Sequence, residues 1–205
     1  MAARTGSGRS QAREKVLEAT VATLAAQGFS RTTARAVAAA GGFAPGVIYY
    51  HFESLDDLFV AAARYTSAER LARYRERTAD VSSAAGLIGR LRELYEEDQS
   101  SGHVAAVQEL VAAAASSPGL AEQVREQGEQ WQAMAEELIR GLVRGQAFEA
   151  LVPVRELAAA SVGAYLGLGM LSRHHASRAN PDALFDAARP AAAMIDAFRR
   201  PPAGS

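Results

Sequence analysis

Apolar side chains recur along most of this chain at intervals of three and four residues, the spacing that collects them on one face of an α-helix. The first such run predicts a helix over 10–27, with Leu17, Val21 and Leu24 on one face and Gly28 ending it. Thr33 is a suitable N-cap for a short helix through Ala40, which Gly41-Gly42 stops. A third helix is expected over 44–50. Ser54, followed three residues on by Asp57, has the form of a capping box. With Asp56 and Asp57 at its positive end, that box opens a helix running to residue 78. Five more helices are predicted over 83–99, 103–115, 119–145, 154–176 and 182–199. Ser117-Pro118 and Asn180-Pro181 each place a capping residue before a proline suited to a first helical turn. Runs alternating with period two are missing, so the expected fold class is all-α, with about nine helices.

The last two predicted helices carry apolar stripes long enough to pair with another molecule. Leu157, Ser161, Ala164, Leu168, Leu171 and His175 line one, and Leu184, Ala188, Ala191, Ile195 and Phe198 line the other. Two such helices from each of two subunits would make a four-helix bundle, so these residues are the candidate interface if the chain acts as a dimer. The competing assignment is core within one chain. Gly163 and Gly167 on a neighbouring stripe allow close helix approach.

Composition narrows the function classes. With 49% hydrophobic and 22% charged residues, the 205-residue chain is ordinary for a folded protein. It has no cysteine, which removes disulfides, thiolate zinc sites and cysteine nucleophiles. No apolar run approaches the roughly 20 residues that span a bilayer. The first ten residues lack the apolar stretch of a secretory signal, so a cytoplasmic protein without membrane contact is expected. The net charge of -1 conceals an asymmetry. Residues 1–52 carry Arg4, Arg9, Arg13, Lys15, Arg31 and Arg35 against only Glu14 and Glu18, while the remainder is acidic. A basic head on an acidic body suits a nucleic-acid partner at one end. The acidic stretch 93–98 is expected to be a solvated helix face. Adjacent His174 and His175 diverge by about 100° on a helix and lack companion ligands, so no metal site and no cofactor are expected.

Residues 32–52 read TTARAVAAAGGFAPGVIYYHF. Two short helices about a glycine turn meet the mechanical requirement of a helix-turn-helix, in which the first braces and the second enters the major groove. Val37 and Ile48 are expected to face inward, Phe43 to set the angle between the helices, and Phe52 to join the core. The segment resembles the DNA-binding head of the TetR family, whose usual pattern is approximately TTVRDIAREAGVSKGTLYYHF. Thr32, Thr33, Arg35, Ala38, Gly42, Gly46, Tyr49, Tyr50, His51 and Phe52 stand in register with it. Specific motifs cover residues 10–65, and the rest follows by architecture alone.

The resemblance implies a division into a disordered basic arm over 1–9, a helix-turn-helix head over 10–53, a helical effector-binding and dimerisation domain over 54–200, and a disordered tail over 201–205. It implies that Thr33 sets a helix N-terminus against a phosphate and that Arg35 contacts backbone or a base edge. Pro45, Gly46 and Val47 would lie nearest the bases. Tyr49, Tyr50 and His51 would contact phosphates or thymine methyls, and Arg4, Arg9 and Arg13 would reach backbone or minor groove from the arm. Each has a plainer alternative: either tyrosine in the core, His51 packing at the helix end, Arg35 as a solvated charge. The chain also departs from the pattern. Ala44 stands where a serine-like cap is usual, and Leu55 where a phosphate-gripping lysine is common. Base readout would therefore lean on shape and thymine methyls.

A family of this kind acts as a homodimer on double-stranded operator DNA and answers to a small-molecule effector. Tyr95, His103, Gln108, Trp131, Met134 and Tyr165 are the candidate pocket residues, with Phe148 and Met170 nearby in type, although each is individually a plausible core residue. The predominance of apolar groups implies an uncharged or lipophilic effector, and the expected output is repression. An adaptor that only dimerises leaves the 32–52 segment without a purpose. An all-α enzyme would need a nucleophile, a paired acid and base or a metal cluster, and no such motif is present in the sequence.

Overall fold

The computed structural model describes residues 3–174 and 181–198. Its helices are α1 Ala3–Gln27, α2 Ala34–Gly41, α3 Gly46–His51, α4 Leu55–Thr78, α5 Ala84–Ser100, α6 His103–Ala113, α7 Pro118–Val143, α8 Val154–His174 and α9 Pro181–Phe198. Short 3-10 turns occupy Phe29–Arg31, Ala114–Ser116 and Glu149–Leu151, and there is no strand among the described residues. The all-α expectation holds, and most helix ends fall within one or two residues of those predicted. None of the described helices is long and apolar enough to cross a membrane.

The N-terminus differs from expectation. Where a disordered arm was expected over 1–9, α1 begins at Ala3. Extending an existing helix fixes one residue per added hydrogen bond and avoids the nucleation cost, so the helix runs back through Gly6 and Gly8 despite their poor propensity.

The chain forms two compact units, Met1–Arg70 with Asp98–Gln127 and Leu71–Glu97 with Gly128–Ser205. This differs from the expected division at residue 53, because α1 has two apolar sides. One side, with Val16 and Leu17, packs with Val37, Ala38, Ile48, Phe52, Leu58 and Ala62 to form the helix-turn-helix core. The other, with Val21 and Leu24, buries itself against Phe59 and Ala63 of α4, Ala106 and Leu110 of α6, and Leu120 of α7. Each large side chain removed from water contributes about 1.5–3 kcal/mol, so α6 and the start of α7 are integral to the first unit.

Local chemistry explains the joints. Gly28 ends α1 at φ 79°, and the Phe29 amide that follows donates to Glu109 Oε2 of α6 at 2.8 Å. Thr33 Oγ1 accepts from the Ala36 amide at 3.2 Å, capping α2 as expected. Left-handed Gly42 closes α2, and the Phe43 amide donates back to Ala38 at 3.0 Å. The Phe43 ring lies so close over Gly41 that a Cβ there would overlap it and crowd Ala19, so a side chain at this turn would push the ring aside. The capping box at α4 is reciprocal: Ser54 Oγ accepts from the Asp57 amide at 3.1 Å, and Asp57 Oδ2 accepts from the Glu53 amide at 3.2 Å.

The stretch 93–98 is only partly the solvated face expected. Glu93 and Glu97 pair with Arg77 at the surface, whereas Asp98 is fully buried and bound to buried Arg70 at 2.8 Å. A carboxylate inside a protein must be paired, and Arg70 on α4 supplies the partner that no sequence spacing announces.

In the second unit Leu71, Tyr74, Leu94 and Met134 form a smaller core with Leu91, Trp131 and Leu138. Asp196 of α9 accepts from the Ala84 and Ala85 amides at 2.7 and 2.9 Å, satisfying the unpaired donors at the start of α5.

Candidate nucleic-acid interface

Helix α3 is anchored from inside and left bare outside. Ile48 is 0% exposed and Phe52 3%, so the inner side of the short helix is held by the core of the first unit. Tyr49 and Tyr50 are 56% and 66% exposed. Adjacent residues on a helix normally place at least one ring inside, yet here both rings stand in solvent, since Ile48 and Phe52 already fill the inner positions. Ala44, Pro45 and Gly46 are exposed in front of them. Pro45 offers no side-chain cap, and the first turn is closed by backbone alone, with Val47 donating to Ala44 at 2.9 Å and Ile48 to Pro45 at 3.1 Å. Val47 departs from its expected place nearest the bases: it is half-buried and packs against the core, because the six-residue helix needs a second inward contact beside Ile48.

The other candidate DNA contacts are distributed around this helix. Thr33 and Arg35 are exposed at the start of α2, and the Thr33 hydroxyl already serves the Ala36 amide. Arg9 and Arg13 extend from α1, not from an arm. The Arg9 guanidinium lies 5.4 Å over the Tyr50 ring and that of Arg13 lies 5.0 Å over the Phe52 ring. Such stacking is worth about 0.5–1 kcal/mol at exposed sites and holds long side chains in place. The side chain of Arg4 is outside the described residues.

Charge on α1 is sorted by side. Burial, followed by the carboxylates of Glu69, Glu18 and Glu14, pushes the Tyr65 phenol up to about 12, which marks an acidic surround on α4. The opposite influence acts on His51 at the end of α3. Burial, then the positive charges of Arg9 and Arg13, hold its imidazole below the ordinary value of 6.5. The surface around α3 is therefore cationic, aromatic and lined in front by small residues. This combination presents donors and flat apolar area to a polyanion while letting backbone approach closely.

The effector candidates fall in both units. Tyr95, Trp131, Met134 and Tyr165 belong to the second unit, whereas His103 and Gln108 belong to the first. His103 Nδ1 is hydrogen-bonded to Thr66 Oγ1 at 2.5 Å, and Gln108 is buried on α6. In the second unit the aromatic rings pack in a row. Tyr74 meets Trp131 edge-on at 5.0 Å, Trp131 stacks on Tyr165 at 6.5 Å and 13°, and Tyr165 meets Tyr95 edge-on at 5.3 Å. Phe185 of α9 lies 5.9 Å beyond. Sequence reasoning missed Tyr74 and Phe185, because each sits on a different helix and no spacing links them. A partly open cleft of about 280 Å³ lies elsewhere in the same unit, lined by Thr78, Val81, Leu87, Met134 and Leu138 with exposed Arg75 and Glu137. Met134 is the one sequence candidate on its wall.

Of the interface candidates, Leu157, Leu184 and Phe198 are 44%, 43% and 68% exposed, and Ser161 and Ala191 are exposed as well. Ala164, Ala188 and Ile195 are half-buried. Leu168 and Leu171 lie on α8 with side chains outside the described set, and His175 is outside the described residues. Met170, expected among the pocket residues, is 52% exposed on α8, and Met194 at 59% adds apolar surface on α9.

Comparison with known proteins agrees with this geometry. Residues 16–62, which hold α2, α3 and the parts of α1 and α4 that enclose them, match the family model described as bacterial regulatory proteins, tetR family. Over 82 residues the chain is 34% identical to the HTH-type transcriptional repressor Rv1474c of Mycobacterium tuberculosis, an alignment spanning 40% of each chain. The chain thus aligns with less than half the length of that curated relative. Similar folds include a transcriptional regulator from Rhodococcus sp. Rha1, at TM-score 0.72 and 22% identity, covering 89% of this chain and 95% of the other. A transcriptional regulator from Saccharomonospora viridis, solved in complex with choline, superposes at TM-score 0.69 and 20% identity over 87% of this chain and 93% of that one. With the helix-turn-helix core and the exposed outer side of α3 in hand, residues 16–62 form a DNA-binding head similar to that of the tetR family of bacterial regulatory proteins, and the rest of the chain shares the fold of solved transcriptional regulators.

Proposed function

We propose that this protein is a cytoplasmic transcriptional repressor that binds a pseudopalindromic operator as a homodimer and is released by a small, largely apolar effector. The observation that carries the reading is the bare outer side of α3, where Tyr49 and Tyr50 are both in solvent beside Arg9 and Arg13. Two large aromatic side chains are not left exposed without cost, and a DNA groove with its phosphates is the partner whose chemistry matches them. Pro45 and Gly46 bring no hydrogen-bonding side chain, so direct base readout is limited and operator choice rests on groove shape and methyl contacts.

One recognition helix covers too few base pairs for useful selection, so two are needed at roughly 34–36 Å, one turn of DNA. The exposed apolar residues of α8 and α9 support a second copy as the partner. Gly163 and Gly167 on α8 have no neighbouring atom within 4 Å of a Cβ position, which leaves room for close helix approach.

The effector reading rests on the second unit, where the aromatic row and the cleft at Met134 offer apolar surface with few charges. The Saccharomonospora regulator was solved in complex with choline, a small molecule, and the row Tyr74–Trp131–Tyr165–Tyr95 supports small-molecule binding in this chain by the apolar ring surface it offers. Helix α4 contributes residues to both units, so an effector that favours one position of its C-terminal part biases the head. Such coupling requires unequal affinity for two states.

The test is a gel-shift with DNA from upstream of the protein's own gene. Tyr50→Ala is expected to weaken binding at least about tenfold, the worth of roughly 1.4 kcal/mol, with the melting temperature lowered by only a few degrees because the exposed ring loses little beyond its stacking with Arg9. Retained affinity in that variant would sink the reading of α3. A complex that no effector dissociates would leave a dimeric DNA-binding protein without induction.

A further inference from the structure

His51 ends α3 between two aromatic neighbours, 4.9 Å edge-on from the Tyr50 ring and 6.4 Å from the Phe52 ring. Those same rings carry the guanidiniums of Arg9 and Arg13. Helix α1 thus delivers two permanent cations to one end of α3, and neither pairs with a carboxylate among the described residues. The acids next along the chain are Glu53 and Asp57. Asp57 Oδ2 accepts from the Glu53 amide at 3.2 Å, and the charges that shift the imidazole are those of Arg9 and Arg13. Burial and the two guanidiniums favour the uncharged ring, so His51 is neutral at pH 7 in the free chain.

Three groups able to carry positive charge, one held towards its uncharged form by burial and by the other two, make a surface whose charge state depends on what approaches it. A phosphate seated among them cancels the field of Arg9 and Arg13, adds a negative charge beside the imidazole, and offers an acceptor to its N–H. Each of these changes favours imidazolium over imidazole.

We propose that docking of the DNA backbone on the Arg9–Arg13–His51 patch is coupled to uptake of one proton from solvent by His51, so that the head grips DNA more tightly as pH falls from about 8 to about 6. The inference rests on the DNA-binding reading given above. The sign follows from linkage: a group that holds its proton more firmly in the complex makes association stronger at low pH. With one proton involved, the gain cannot exceed about tenfold per pH unit.

The experiment uses the full chain at constant ionic strength with two duplexes of equal length, one from upstream of its own gene and one unrelated. Wild type is expected to bind about three- to tenfold more tightly at pH 6 than at pH 8, whereas His51→Gln gives a flatter profile. Calorimetry of the wild type in two buffers of different ionisation heat should register uptake of a fraction of a proton near pH 6.5, a readout that does not depend on the variant folding. Arg9→Gln with Arg13→Gln relieves the repulsion in the free chain and should shrink that uptake. Parallel pH profiles for wild type and His51→Gln, or zero proton uptake on binding, overturn the proposal while leaving DNA binding intact. Binding to neither duplex at any pH overturns the DNA-binding reading and this inference with it.

Discussion

Leu55 is half-buried at the start of α4 and touches both apolar clusters of the first unit. A lysine at this place, common in the family pattern, would offer a phosphate contact; leucine exchanges that contact for packing. The exchange has two measurable sides. Leu55→Lys should steepen the salt dependence of DNA binding by about 0.9 in slope, the effect of one added phosphate contact. The same change should lower stability by about 1 kcal/mol, softened because a lysine stem can lie along apolar surface with its ammonium in water. Salt titrations and urea unfolding of both proteins check the two sides, and a slope no steeper than wild type would show that this position does not face phosphate. Gly41 illustrates the opposite case, in which a residue matters for what it lacks: the Phe43 ring occupies the space of its missing Cβ.

At the level of elements, the joint between α4 and the end of α5 is held by charge. Arg70 and Asp98 are 3% and 0% exposed in their side chains and lie 2.8 Å apart, and the nearby Thr66–His103 hydrogen bond ties α4 to the first residue of α6. Breaking a buried pair leaves a charge without compensation, so Asp98→Ala should cost about 3–5 kcal/mol in urea unfolding. Replacing both residues, by Arg70→Met with Asp98→Leu, removes the charge altogether and should restore most of that loss. A double variant as unstable as Asp98→Ala would mean that the site depends on hydrogen-bond geometry rather than on compensated charge. The exposed pairs, such as Arg125–Glu122 and Arg140–Glu136, contribute little by comparison because water screens them.

For the molecule as a whole, the informative feature is where apolar surface remains uncovered. Leu157, Met170, Leu184, Met194 and Phe198 are all at least 43% exposed, and all lie on α8 and α9. Water contact at each is unfavourable by about 25 cal/mol per Å², a cost that the second copy proposed above would remove. Leu184→Asp combined with Phe198→Asp should therefore convert a dimer into a monomer by light scattering, with helix content unchanged and DNA affinity lowered because one recognition helix remains per particle. A double variant that stays dimeric would place the subunit contact elsewhere.

Local chemistry made much of this protein legible in advance. Helix positions, the Thr33 and Ser54 caps, the Gly28 and Gly42 stops, and the inward Val37, Ile48 and Phe52 all depend on interactions within a few residues, and the sequence by itself determines these. It also determines that the head is basic and that its turn has the helix-turn-helix form. Tertiary structure alone decided the long-range choices. The second apolar side of α1 found α6, Asp98 found Arg70, Val47 turned partly inward, and the arm became helix with Arg9 and Arg13 stacked on Tyr50 and Phe52. The expected effector residues are likewise assigned by tertiary packing, His103 and Gln108 to the first unit and Trp131 and Tyr165 to the second. Periodicity reports which side of a helix is apolar, never which of several apolar sides will cover it; that is settled by the competition of all the helices for one another's surfaces.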